Sequence, residues 1–206
     1  LSNADGRFLA ETITSKIDLP GFDNSAVDGY AVQAKDLISA NRPEPVSLRL
    51  IGKIPAGKSF SGQIQSGQCV RIFTGSPLPK GADAVAMQED TQTDPQTTGQ
   101  ILFLDTVKLW ENIRFRGEDV KAGSALVEAG TRLSAGHLCL LGAVGIENAR
   151  VFRQPIIGLL ATGSELREAG QSISPGQIFE SNRIGLAALV KRSGAIPKNY
   201  PLVSDT

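Results

Sequence analysis

A change of pattern at Pro155 constrains the fold of this chain more than any other feature. Before it, apolar residues come in short stretches closed by turn formers. After it, Ile156–Ala161 run without a polar interruption. In the first region, VSLRLIGKI (46–54) alternates apolar and polar residues at Val46, Leu48 and Leu50, as a half-buried strand does. CVRIFTG ends in a turn over 75–81, ADAVAMQED and QILFLDTVKL follow, and TDPQTTGQ (93–100) reads as a hairpin-like connection. Strands this short, at this spacing, predict a β-rich module. The run IIGLLATGSEL (156–166) instead reads as a strand buried on both faces. ESNRIGLAALVKRSG (180–194) has helical spacing, with Ser181 at the N-cap, and IPKNYPLV reads as the next strand. That is the β-α-β opening of a parallel sheet.

Between these regions, SAGHLCLLGAVG predicts a helix capped by Ser134, and NARVFRQP is extended. Near the start, Phe8–Ile17 reads as the tail of a helix running into an extended segment, and 19–32 as a polar loop punctuated by Pro20-Gly21 and Asp28-Gly29. The expected fold class is multidomain, α+β and mainly β. A discontinuous mixed domain (5–14 with 124–154) is interrupted by a β-rich insert (15–123), and an incomplete α/β domain spans 155–206. Leu1–Ala4 resembles the remnant of an expression tag and carries no functional expectation.

The 21 basic and 21 acidic side chains balance. No overall field draws this chain to nucleic acid or a membrane surface, so an anionic ligand must be held by local groups. Cys69 and Cys139 lie far apart without CxxC partners, and His137 is the sole histidine, which argues against a zinc site. Both cysteines read as buried free thiols of a reducing, cytoplasmic compartment. No signal peptide or apolar run of membrane-spanning length is visible.

Four polar clusters carry candidate chemistry. Asp23, Asn24, Ser25 and Asp28 share one loop; a hard cation needs only one or two such carboxylates beside phosphate and water, and Ser25 can donate to an oxyanion. The same residues are ordinary turn formers. Thr74-Gly75-Ser76 closes a strand, where a hydroxyl before glycine can meet an oxyanion or simply make a tight turn. Arg114, Arg116, Glu118 and Asp119 form either an arginine cradle for an oxyanion such as phosphate, or a solvated run of internal ion pairs. Thr162, Ser164 and Glu165 follow a strand end, where α/β sheets bind ligands, though the segment also suits a helix cap. His137, Cys69, Cys139 and Met87 read as structural.

Taken in order, PGFDNSAVDGYAV (20–32), RIFTGSPLPKGADAVAMQED (71–90), NIRFRGEDVKAG (112–123) and LLATGSEL (159–166) followed by ESNR (180–183) resemble the MoeA-type family of molybdopterin molybdenumtransferases, which includes the gephyrin E domain. The resemblance covers nearly all the chain and implies its N-terminal portion only: the family's Gly-Gly-X-Ser loop and Pro-Gly-Asn-Pro turn do not occur here. It implies molybdenum-cofactor biosynthesis, in which molybdate is inserted into adenylylated molybdopterin with release of AMP. The implied catalytic residues are Asp28, Thr74, Asp119 and Glu165. Asp28 and Glu165 are the implied ligands of Mg²⁺, and Ser25, Arg114, Arg116, Thr162 and Ser164 the implied substrate contacts. A homodimer is implied, with the working site shared between subunits and this portion inactive alone. The molybdopterin adenylyltransferase is an implied partner, and nucleic acid and membrane are not. The competing reading within the family is a non-catalytic scaffold.

Overall fold

The computed structural model describes residues 1–55 and 57–205, and the fold is mainly β with two α-helices. In chain order the elements begin with β1 (Ile13–Thr14), β2 (Asn24–Ser25), β3 (Gly29–Val32), β4 (Val46–Lys53) and β5 (Gln68–Ile72). Next come β6 (Ala84–Met87), β7 (Thr91–Thr93), β8 (Gln100–Phe103), β9 (Ile113–Arg114) and β10 (Ala125–Val127). After α1 (Ala135–Ala143) lie β11 (Ile156–Leu159), β12 (Leu166–Arg167), β13 (Ile178–Phe179), α2 (Asn182–Arg192) and β14 (Ile196–Asn199). The chain divides into two compact units: Thr14–Ser124, and Leu1–Ile13 with Ala125–Thr206.

The unit Thr14–Ser124 is built on a six-stranded sheet in the order β6-β3-β5-β4-β8-β7. β3 runs antiparallel to both β5 and β6, and β4 pairs parallel with β5 and antiparallel with β8. β7 and β8 form the expected hairpin across 93–100. Successive strand residues point to opposite faces, and here both faces of the central strands are filled. Val32, Cys69 and Ala84 join Leu48 and Phe103 in one core cluster, while their neighbours Ala31, Val70 and Val85 join Ile54, Ile72 and Ile113 in another. β4 keeps the half-buried alternation read from the sequence at Val46, Leu48 and Leu50. Phe60 packs over two gaps left by glycine: a Cβ on Gly52 or Gly62 would lie 2.7 Å from its ring.

The other unit gathers Leu9, Val127, Leu133 and Leu141 into a third cluster. Here the structure corrects several expectations. Phe8–Ile17 contains no helix; Phe8 and Leu9 bridge to Arg132 and Val151, and the Leu9 N–H donates to the Thr131 carbonyl. The β-branched Thr12, Ile13 and Thr14 favour that extended path. Leu1 and Ala4, set aside as a tag remnant, pack against this cluster. α1 starts after Ser134 as expected, with the Ser134 N–H on the His137 Nδ1 at 3.1 Å, so His137 is structural. Cys139, however, is exposed while Cys69 is buried. The helical spacing of Leu138 and Leu141 marks the face of α1 that turns inward: Leu141 is buried and Leu138 packs against the same cluster.

β11 and β14 pair in parallel through Ile156↔Ile196 to Leu159↔Asn199, with α2 between them in sequence, as read. As expected of a single β-α-β unit, β11 is not covered on both faces. One neighbouring strand and one helix bury Leu159 and leave Ile156, Ile157 and Gly158 exposed. Ser181 stands at the N-cap of α2 but makes no capping bond; the Glu180 carboxylate accepts the Arg183 N–H instead, at 2.8 Å.

Phe103 is the largest side chain fully withdrawn from water, and it meets Tyr30 edge-on at 5.8 Å. Phe103→Ala is expected to cost about 3–5 kcal/mol. Urea unfolding checks this: the midpoint should fall with an unchanged slope.

Candidate functional site

The Asp28–Gly29 corner is forced by packing. Gly29 opens β3 between β5 and β6, opposite Ile72 and Met87. A Cβ there would lie 2.0 Å from the Ala86 carbonyl oxygen, so no other residue fits without backbone movement. Asp28 therefore stands at the corner, beside the point where β5 ends and Thr74 begins the turn. Its Oδ1 accepts the Thr74 N–H at 2.8 Å and the Thr74 hydroxyl at 2.9 Å. These bonds, the backbone one foremost, hold the Asp28 carboxyl below its ordinary value, with Arg71 adding through-space attraction. Both side chains are exposed. The two residues, 46 positions apart in sequence, thus make one ionised, oriented and accessible pair.

Two cations that sequence reading missed adjoin this pair. The Arg71 guanidinium stacks on Tyr30 at 5.0 Å and on Phe73 at 5.1 Å, and the Lys53 ammonium also lies 5.1 Å from the Phe73 ring. Among the described residues, neither makes an ion pair. A signal was available: Arg71 interrupts an apolar strand, two residues from Phe73 and thus on the same sheet face.

The arginines that sequence did single out are already matched. Arg114 Nη2 lies 2.6 Å from both Asp119 oxygens, and its Nε lies 3.3 Å from Glu118. Arg116 Nε donates to Asp18 at 2.5 Å, and the Arg116 N–H to Asp23 at 2.7 Å. Two guanidiniums therefore meet three carboxylates, and the Arg116 N–H a fourth, which is the arrangement of internal ion pairs that the sequence left open beside the arginine cradle. Asp119 is drawn into this network through Arg114 and remains exposed. Ser25 is fully buried, and its hydroxyl closes a local turn on Val27, donating to the carbonyl at 2.6 Å. It offers no free hydroxyl to an oxyanion. Asp18, unnoticed in the sequence, ties the 112–123 segment down by also accepting the Ala122 N–H at 2.8 Å.

In the other unit, Thr162, Ser164 and Glu165 lie on an exposed loop just past β11. Thr162 bridges to Val203, and the Ser164 hydroxyl accepts the Asp205 N–H at 3.1 Å. The Glu165 carboxylate folds over Gly163, whose φ is 151°; a Cβ on Gly163 would sit 2.8 Å from it. A cleft of about 450 Å³ opens beside Thr162, lined also by Leu166, Phe179, Glu180 and Arg183. Arg183, nearly buried, joins Glu180 at 2.8 Å and Glu168 at 2.7 Å and also bonds the Tyr200 carbonyl. Among the described residues, no three His, Cys, Asp or Glu side chains converge as a metal-holding group, and no helix is long and apolar enough to cross a membrane.

Comparison with known proteins decides the family. Residues 1–145 match the model of the MoeA N-terminal region (domain I and II). This chain belongs to the MoeA family. It is 41% identical over 202 residues to a molybdopterin molybdenumtransferase of Nostoc sp., covering 98% of this chain and 46% of that protein. The Haemophilus influenzae molybdopterin molybdenumtransferase is 41% identical over 192 residues, with 93% and 46% covered. The chain thus spans about half the length of the curated relatives it matches. The crystal structure of a molybdopterin biosynthesis moeA protein from Pyrococcus horikoshii OT3 aligns with a TM-score of 0.91 at 37% identity, over 100% of this chain and 54% of that one.

Asp18, Asp28 and Glu180 all titrate below their ordinary values, chiefly because each carboxylate accepts a backbone N–H. A folded-state value below the unfolded one stabilises the fold above the unfolded value, and this stabilisation disappears as pH falls through the folded value. Melting temperature is accordingly expected to be flat near neutrality and to drop below about pH 4. Asp18→Asn should lower it at pH 7 and flatten the acid limb, as differential scanning fluorimetry across pH would record.

Proposed function

We propose that the whole protein to which this MoeA chain contributes inserts molybdate into adenylylated molybdopterin and releases AMP. The observation that carries this reading is the Asp28–Thr74 pair, an exposed ionised carboxylate fixed by two hydrogen bonds, beside cations that make no ion pair among the described residues. Chemistry among anions needs orientation and charge neutralisation, and such a pair supports both without a nucleophilic Cys or His.

The residues suit a hard divalent cation. Among the described residues, both hydrogen bonds to Asp28 fall on Oδ1, so Oδ2 is available to Mg²⁺, with water and substrate oxygens completing the shell. When bound, the ion neutralises phosphate charge. Asp28 holds it, Thr74 keeps the carboxylate aimed, and Lys53 and Arg71 set the local potential that meets the anion. Asp119 acts through its hold on Arg114, which keeps the 112–119 loop in shape. Glu165, Thr162 and Ser164 are the exposed polar groups of the other unit carried as substrate or ion contacts. The working form is a homodimer in the cytoplasm, served by the molybdopterin adenylyltransferase. The chain alone is expected to release no AMP above background when given adenylylated molybdopterin, Mg²⁺ and molybdate.

Asp28→Asn in the whole protein is expected to lower metal insertion by roughly hundredfold or more. The amide oxygen can still accept from Thr74, so a thermal melt should show a folded protein. Cofactor reconstitution measures the activity. Turnover near that of the parent would remove Asp28 from the reaction, and failure of the unmodified whole protein to complement a transferase-deficient cell would favour a scaffold.

A further inference from the structure

We propose that Arg71 is a positioning residue for the Asp28–Thr74 pair, its guanidinium tying the corner that carries the carboxylate to the strand end that carries the hydroxyl. This rests on the reading that the pair handles substrate. Arg71 lies on β5 directly across from Tyr30 on β3. From there Nη1 donates to the Gly29 carbonyl at 3.3 Å, and Nη2 donates to the Gln88 side-chain oxygen. Gln88 in turn donates its own N–H to the Asp28 carbonyl at 3.0 Å. The contacts thus reach Asp28 by two routes, through its neighbour Gly29 and through Gln88.

The other half of the tie is aromatic. Arg71 stacks on Tyr30, the residue two beyond Asp28, and on Phe73, the residue just before Thr74. A planar guanidinium can stack and donate in its own plane at once, which an ammonium cannot. Lys53 on the Phe73 ring adds charge but, among the described residues, no hydrogen bond to either half of the pair. The charged groups on the elements around Asp28 are Arg71 on β5, Arg49 and Lys53 on β4, and Glu89 and Asp90 on the turn 88–90 that touches β3. Of these, Arg71 is the one that both attracts the carboxylate and is bonded into the corner that bears it.

A merely structural arginine and a positioning one give different results. Exchange of the Thr74 amide hydrogen, which is held by the Asp28 carboxylate, is followed by NMR at fixed neutral pH in the 206-residue chain as wild type, Arg71→Met, Arg71→Lys and Gln88→Ala. Arg71→Met is expected to speed that exchange by roughly tenfold or more, because the corner and the strand end are no longer tied. Arg71→Lys keeps the charge but not the fork, so the exchange should still be faster than in wild type. In the whole protein, Arg71→Met should lower kcat by roughly tenfold to hundredfold, a larger factor than any rise in KM. Arg71→Lys should not restore kcat. A folded Arg71→Met whose Thr74 amide exchanges as in wild type overturns the proposal. Should Arg71→Met fail to fold, unchanged Thr74 exchange in both Gln88→Ala and Arg71→Lys overturns it equally. If Asp28→Asn itself turns over normally, the functional reading fails, while the amide exchange still decides the placement of Arg71.

Discussion

In the sheet of the unit Thr14–Ser124, any side chain on Gly29 would run into the carbonyl of Ala86, and much of that unit follows from this constraint. Only a residue without a Cβ lets β3 lie between β5 and β6 at that separation. Once β3 is seated, Ala31 and Val32 are committed to opposite core clusters, and the residue before the glycine must project from the end of the sheet. The carboxylate of Asp28 is therefore placed by packing that lies wholly behind it. A rigid strand start is a better mount for a reactive group than a loop held only by its own hydrogen bonds, because a strand's position is over-determined by its neighbours.

Charge is distributed with a similar economy. A net charge of zero conceals two different local arrangements. In the segment 112–119, guanidiniums and carboxylates neutralise one another, and exposed pairs of this kind add little stability but fix a loop's shape. On the sheet face beside Asp28, the cations are held by aromatic rings and neutral oxygens instead. A cation held that way keeps its field available to an incoming anion, whereas one already paired must first exchange its partner.

Much of this was legible in the sequence, for identifiable reasons. The short strands of 46–103 and the parallel pairing of β11 with β14 followed from period and punctuation, which reflect burial directly. The Asp28–Thr74 pair was legible as two separate turn motifs, but their contact depends on β3–β5 register, which local sequence does not encode. Arg71 was passed over because a cation in a strand reads as a solvent-facing residue until its neighbours are known. Arg114 beside two acids left an anion site and internal ion pairs equally open, because sequence shows the charges but not their pairing; the structure pairs Arg114 with Glu118 and Asp119. In α1 the spacing of Leu138 and Leu141 marked the inner face, whereas Cys139, in the same apolar stretch, was assigned to the interior and is exposed.

The two cysteines, one in each compact unit, differ sharply in their surroundings. Burial pushes the Cys69 thiol up to about 12, and its side chain is enclosed among Leu48, Ala84 and Phe103. Thiolate is the reactive form, so in the folded state this sulfur is chemically silent. Cys139 is exposed on α1. An alkylating reagent thus meets one open sulfur at once and the other only when the six-stranded sheet parts. The rate of that second modification is a clock for the breathing of the sheet that seats Asp28, built into the chain without any added label.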